Sequence, residues 1–182
     1  TVSSQAGAFA AGMQASKVIP TYKHFPGLGR VTANTDTSAD VVDRTTSRLP
    51  DAAVSVFAGA IAAGAQVIMV SSATYALIDA SAPAVFSSKI VTDMLRTEMG
   101  FSGVVITDDV SAAVQVQGVA AGDRAVQAIR AGCDIVLASA EPAVAADMVK
   151  ALIAAAQSDP AFAARVDESA ARVLALKGSL QS

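Results

Sequence analysis

A single cysteine, a single histidine and no tryptophan occur among the 182 residues of this chain. Each scarcity removes a class of explanation. One cysteine, Cys133, excludes an internal disulfide. It falls in the apolar run before Asp134-Ile135-Val136-Leu137 and reads as a buried small hydrophobe. One histidine, His24, leaves no His-based metal cluster and no Ser-His-Asp triad with a spare base, so no metal is expected. Positive charge is also in short supply. Thirteen Lys and Arg stand against 16 Asp and Glu, for a net charge of −3 and a pI near 5.0. No cluster of Lys and Arg offers a stripe for phosphates, which argues against nucleic acid or an anionic membrane as partner. No apolar run reaches the roughly 18–20 residues of a membrane span. No signal peptide is recognisable, and the chain opens on Thr1 without an initiator Met, so a processed or truncated start is expected. Gly27-Leu28-Gly29 lacks the G-x-G-x-x-G spacing and the Lys-Ser/Thr ending of phosphate loops. No cofactor is expected.

What the chain has in plenty is apolar surface. Hydrophobic residues make up 53%, mean hydropathy is +0.49, and residues 1–182 read as one α/β domain with ample core. Alanine-rich stretches such as Val54, Ala58, Ile61, Ala62 and Ala65 have helical spacing and read as packing faces. A strand–helix alternation runs along the chain. A helix at 2–16 leads into a strand at 18–22, then a long polar loop at 24–50. Pro50 and Asp51 open a helix ending near Gly64. A strand at 66–70 precedes a helix at 87–99, capped by Ser87 or Ser88 and closed by Gly100. A strand at 103–107, a helix at 123–131, a strand at 134–138 and helices at 141–157 and 160–176 complete the reading. Four apolar strands separated by helices predict a parallel sheet.

Two segments carry chemistry. Val104-Val105-Ile106 is a β-branched run ending in Thr107-Asp108-Asp109. A carboxylate at the C-terminal end of a parallel strand sits where α/β proteins do their chemistry. The plainer alternative makes Asp109 a helix cap and Asp108 a solvated turn acid. The second segment, Lys23-His24-Phe25-Pro26-Gly27-Leu28-Gly29, delivers a cation and an imidazole into a tight turn. Together the two resemble glycoside hydrolase family 3, in its β-N-acetylhexosaminidase branch, over about residues 18–133.

The resemblance implies a (β/α)8 barrel, of which this chain matches strands five to eight. A complete barrel takes about 250 residues. A half-barrel leaves two open sheet edges and an apolar face, so a missing first half or a second copy of the chain is expected as partner. The rival is an open four-stranded α/β sandwich that stands alone. By resemblance, Asp108 is the nucleophile of a retaining β-glycosidase acting on N-acetylglucosamine-type glycosides. Lys23 and His24 then donate to sugar hydroxyls. The loop after the glycine turn departs from the family. Where the branch has an Asp-Ser-His motif, this chain has Asn34-Thr35-Asp36, and Leu28 replaces a second histidine. Asp36 is the acid/base candidate; the alternatives are that it only stabilises the loop, or that the acid comes from elsewhere or is absent. Ser72 is expected to line the pocket, and Arg30 to contact substrate or brace the loop carboxylates. Asp43-Arg44 reads as a surface ion pair, and Phe25 and Tyr75 as either a sugar-stacking face or core. Other readings are an incomplete sugar-binding half-barrel, a β-glucosidase or β-glycoside phosphorylase, and a non-sugar enzyme using Asp108. Relatives with this loop look like exported bacterial envelope proteins, which favours the envelope or secretion.

Overall fold

A computed structural model describes residues 1–180. Four parallel strands form the main sheet in the order β1 (Thr21–Phe25), β3 (Val67–Val70), β6 (Val104–Asp109), β7 (Ile135–Leu137). Helix α1 (Val2–Ala15) precedes β1, and α2 (Ala52–Ala62) connects β1 to β3. A π-helix (Lys89–Glu98) precedes β6, α3 (Ala121–Ala131) leads to β7, and α4 (Ala145–Ser158) and α5 (Pro160–Gly178) follow it. This is a run of parallel β/α units, the expected fold class. A second, small sheet was not expected from the sequence. It joins β2 (Val42–Asp43), β4 (Thr74–Tyr75) and β5 (Asp79–Pro83) beside the C-terminal ends of the main strands.

Two strand boundaries differ from the sequence reading, and both differences move chemistry. β1 begins at Thr21 rather than Val18, because pairing with β3 starts at Thr21 opposite Val67. Pro20, which has no N–H to give a ladder, ends the connection before it. Lys23 and His24 therefore lie within the strand. β6 runs on through Asp108 and Asp109, and the Val110 N–H still donates to the Leu137 carbonyl of β7 (3.1 Å).

The core lies between sheet and helices. Val54 and Phe57 of α2, Ile68 and Val70 of β3, Ile90, Val91, Met94 and Leu95 of the π-helix, and Val105 of β6 are buried together. Each such side chain contributes about 1.5–3 kcal/mol on burial. Successive strand residues face opposite ways. Val105, Thr107 and Asp109 turn toward full burial, whereas Ile106 and Asp108 are half-buried on the other face. Half-buried Met69 of β3 lies in register with Ile106. This second face, open in this chain, is the one a complete barrel encloses.

At the N-terminal ends of the strands, Asp134 staples the fold. Its carboxylate accepts from the Val105 N–H (2.9 Å), Arg96 of the π-helix (2.5 Å), Arg165 and Arg172 of α5 (2.9 and 3.2 Å) and the Ser169 hydroxyl (3.2 Å). Burial works to raise its pKa, but the Val105 N–H and the Arg165 and Arg96 guanidiniums outweigh that and hold it below the ordinary carboxylate value. Helix α3 stops at Gly132, whose φ of +119° suits glycine; a Cβ there would meet Thr92 Oγ1 at 2.6 Å. Cys133 is fully buried, as expected.

Candidate active site

The site is built at the C-terminal ends of β1, β3 and β6. On β6 the half-buried face presents Asp108. Across the end of β3, where the small residues Ser71 and Ser72 follow the strand, β1 presents His24, and the two side chains meet with His24 Nε2 3.8 Å from Asp108 Oδ2. The β1–β3 register shifts between Tyr22 and Phe25, and the Lys23–His24 and Phe25–Pro26 peptides are cis. The side chains of His24 and Asp108 are 23% and 17% exposed, so a ligand can reach both.

Burial is the largest influence on each. It raises the Asp108 pKa; the Asp109 N–H, which donates to Asp108 Oδ1 (2.9 Å), and His24 oppose this, while Asp36 adds to it. The net direction for Asp108 is upward. Burial lowers the His24 pKa, Asp108 opposes that, Lys23 reinforces it, and the net direction is downward. The charges of Lys23 and Asp36 are thus felt at both groups. Lys23 is exposed on the edge strand. Asp36 is exposed on the loop after the glycine turn.

That loop is held from several sides. Gly27 has φ +135°, and a Cβ on it would lie 2.7 Å from the Ala53 Cβ, so only glycine lets the turn close onto α2. Its carbonyl accepts from the Tyr75 hydroxyl (3.2 Å). Arg30 pairs with Asp51 (2.8 Å) and donates to Thr46 (3.2 Å). Asp51 caps α2 through the Ala53 N–H (2.9 Å); Arg30 and backbone donors hold its pKa at about 2. The carboxylate that Arg30 pairs with is thus the cap of α2. Next, the Asn34 side chain accepts from the Asp36 N–H (2.8 Å), and the Asn34 carbonyl from the Thr37 and Ser38 N–H groups. The Val114 and Gln115 N–H groups donate to the Asp36 and Thr35 carbonyls (3.2 and 3.1 Å). The loop bearing Asp36 therefore rests on the chain that follows Asp108.

Asp109 points away from Asp108 into a ring of donors. Oδ1 accepts from the Ser111 N–H and hydroxyl and the Ala112 N–H (2.7, 2.6 and 3.1 Å). Oδ2 accepts from the Ser139 N–H and hydroxyl and the Ala140 N–H (2.8, 2.5 and 2.7 Å). It caps no α-helix; it ties the end of β6 to the end of β7. Buried Arg124 of α3 secures the same loop through the Val110 and Ser111 carbonyls.

Other residues separate. Ser72 is fully buried at the end of β3, and its hydroxyl has no hydrogen-bond partner among the described residues. Phe25 and Tyr75 are fully buried, Phe25 edge-on to Phe57 with centroids 5.2 Å apart, so both are core rather than a stacking face. Asp43 is not part of a surface pair with Arg44. It is buried, and its carboxylate accepts from the N–H and hydroxyl groups of Thr45 and Thr46 at 2.6–3.0 Å.

The Glycosyl hydrolase family 3 N terminal domain matches residues 1–176. The chain belongs to glycosyl hydrolase family 3. Among its relatives, an uncharacterized secreted glycosyl hydrolase from Arthroderma benhamiae is 36% identical across all of this chain and 52% of its own length. A beta-hexosaminidase from Psychromonas ingrahamii is 39% identical over 73% of this chain and 40% of its own. The crystal structure of a beta-N-acetylhexosaminidase from Beutenbergia cavernae superposes with a TM-score of 0.96 at 60% identity, over 97% of this chain and 52% of that one. The chain thus spans about half the length of the relatives it matches, or less, and is a partial barrel domain. Two parts of the site escaped sequence reasoning. Gln115 belongs to neither motif, and Ser139 lies 30 residues beyond the acid it serves.

Proposed function

We propose that this chain supplies the nucleophile side of a retaining β-glycosidase acting on N-acetylglucosamine-type β-glycosides. The observation that carries the proposal is the convergence of His24 and Asp108 on the open face at the strand ends, with the charges of Lys23 and Asp36 felt at both. The names of the beta-hexosaminidase relatives support the substrate class. Asp108 attacks the anomeric carbon, the glycosidic C–O bond breaks, and the leaving oxygen takes a proton from Asp36. Water then attacks the glycosyl–enzyme ester, Asp36 takes back a proton, and Asp108 leaves as carboxylate. Lys23 and His24 donate to the sugar hydroxyls, His24 as neutral imidazole because its pKa is lowered. Ser72 is fully buried and offers no surface to a ligand, so it carries no contact to the sugar.

The rest of the barrel is the proposed partner, packing against the free edges of β1 and β7. Secretion or the cell envelope is the proposed location, supported by the secreted relative. The direct test is to treat a complete barrel carrying this chain with a 2-fluoro-glycoside and map the adduct by peptide mass spectrometry. A glycosyl ester on Asp108, and a rate loss of at least ~10³-fold in Asp108→Asn, are expected. An unmodified Asp108 with undiminished turnover in D108N would sink the reading. Saturable sugar binding without turnover would mark a binding protein instead.

A further inference from the structure

We propose that Gln115 is a positioning residue that sets the acid/base loop against the nucleophile; this rests on the assignment of Asp36 and Asp108 above. The argument begins with what the Asp36 loop lacks. Asp36 is exposed, and the loop from Asn34 to Val41 has no regular structure of its own. Its internal bonds, from Asn34 to the N–H groups of Asp36, Thr37 and Ser38, shape a turn without placing it. Placement comes from outside. The Gln115 side chain accepts from the Val41 N–H (Oε1, 2.7 Å) and returns a long bond to the Val41 carbonyl (Nε2, 3.5 Å). Its backbone N–H donates to Thr35, and that of Val114 to Asp36. Both ends of the loop are thereby fastened to one short segment, Val114–Val116.

That segment is fixed to the nucleophile in turn. It follows Asp108 by a few residues, and the intervening chain is locked by the six donors to Asp109 and by Arg124. Gln117 Nε2 adds a bond to the Ser111 carbonyl (3.0 Å). Val41, the far anchor, is buried, and its carbonyl accepts from Thr74 (3.0 Å). Gln115 is thus the side chain that links the acid loop to the nucleophile loop.

A positioning role makes a prediction that mere stability does not. Protonation matters little when the leaving group is an activated phenol and matters greatly when it is an alkyl alcohol or a sugar. In a complete barrel carrying this chain, Gln115→Met, which keeps the volume and loses the bonds, should lower kcat/KM on an alkyl or disaccharide substrate by ~10–100-fold. The 2,4-dinitrophenyl glycoside should lose less than about threefold. Gln115→Glu keeps the acceptor for the Val41 N–H and should restore most of the alkyl-substrate rate. Asp36→Asn is the control and should show the same leaving-group selectivity, more strongly. Selective loss in Q115M with recovery in Q115E supports the proposal. Equal loss on both substrates, or no loss, in Q115M overturns it provided D36N is selective. A non-selective D36N overturns the Asp36 assignment itself. Should Q115M fold poorly, Gln115→Leu, which also loses the bonds to Val41, takes its place and is judged by the same criteria.

Discussion

Asp108 and Asp109 are neighbours in the chain with opposite electrostatic fates. Alternation along β6 turns them to opposite faces. Asp108 is half-buried with one backbone donor, so burial wins and its pKa rises. Asp109 is also buried, but the Ser111 and Ser139 hydroxyls and neighbouring N–H groups overcome that, and its pKa falls well below the ordinary value. The consequences for stability have opposite signs. Ionising Asp108 is harder in the folded state, so its contribution to stability falls as pH rises from the unfolded pKa through its raised folded value. Asp108→Asn should therefore abolish turnover yet leave the melting temperature at neutral pH equal to the wild type's or higher; a clear drop in melting temperature would contradict this. Asp109 stabilises above its unfolded pKa, and that stability is lost as pH falls toward its depressed folded value. Asp109→Ala strands buried donors and should cost about 2–4 kcal/mol, measured as the change in urea unfolding free energy at pH 7. The acid pair itself was visible in the sequence as the end of an apolar run. The partners of Asp109 were not, because Ser139 and Ala140 join it only when β7 lies beside β6.

At the scale of elements, helices and long apolar strands were legible because their patterns repeat several times within each segment. The sheet of β2, β4 and β5 was not. β2 and β4 have two residues each, too few to show a period, and they exist only because distant backbone groups pair. β1 was misplaced by three residues for a related reason: Val18 and Ile19 look like strand, but the ladder opposite β3 begins after Pro20. Asp134 shows how elements without strong mutual patterning are joined. It gathers Arg96, Arg165 and Arg172 from two helices around one enclosed carboxylate. Asp134→Asn would leave three guanidiniums facing one another across a neutral amide. The expected cost is about 3–5 kcal/mol in unfolding free energy. Hydrogen exchange should show α5, which carries two of the three arginines, losing protection before β3 or β6. Uniform loss across the molecule would mean that the staple holds no particular element.

For the whole molecule the decisive feature is its two sheet edges. Among the described residues, β1 and β7 each pair on one side only, and each borders an apolar groove. One lies between α1 and β1, lined by Phe9, Met13, Tyr22 and Phe57. The other, of about 550 Å³, lies along β7, lined by Met148, Leu152, Val173 and Leu174. Phe9 and Leu174 are 73% and 67% exposed. Apolar grooves beside unpaired strand edges invite association, and barrel closure would cover both grooves together with the open face that carries Met69, Ile106 and Asp108. If these edges are barrel seams, amide protons of β1 and β7 that face outward should exchange rapidly in the 182-residue chain alone. They should slow by ~10²-fold or more when the remaining half of the barrel is supplied in trans or on the same polypeptide. The amides of β3 and β6, paired on both sides, should be protected in either state. Equal protection of β1 and β7 in both states would mean that the sheet is complete as an open sandwich. The sugar site would then have to function with one wall only.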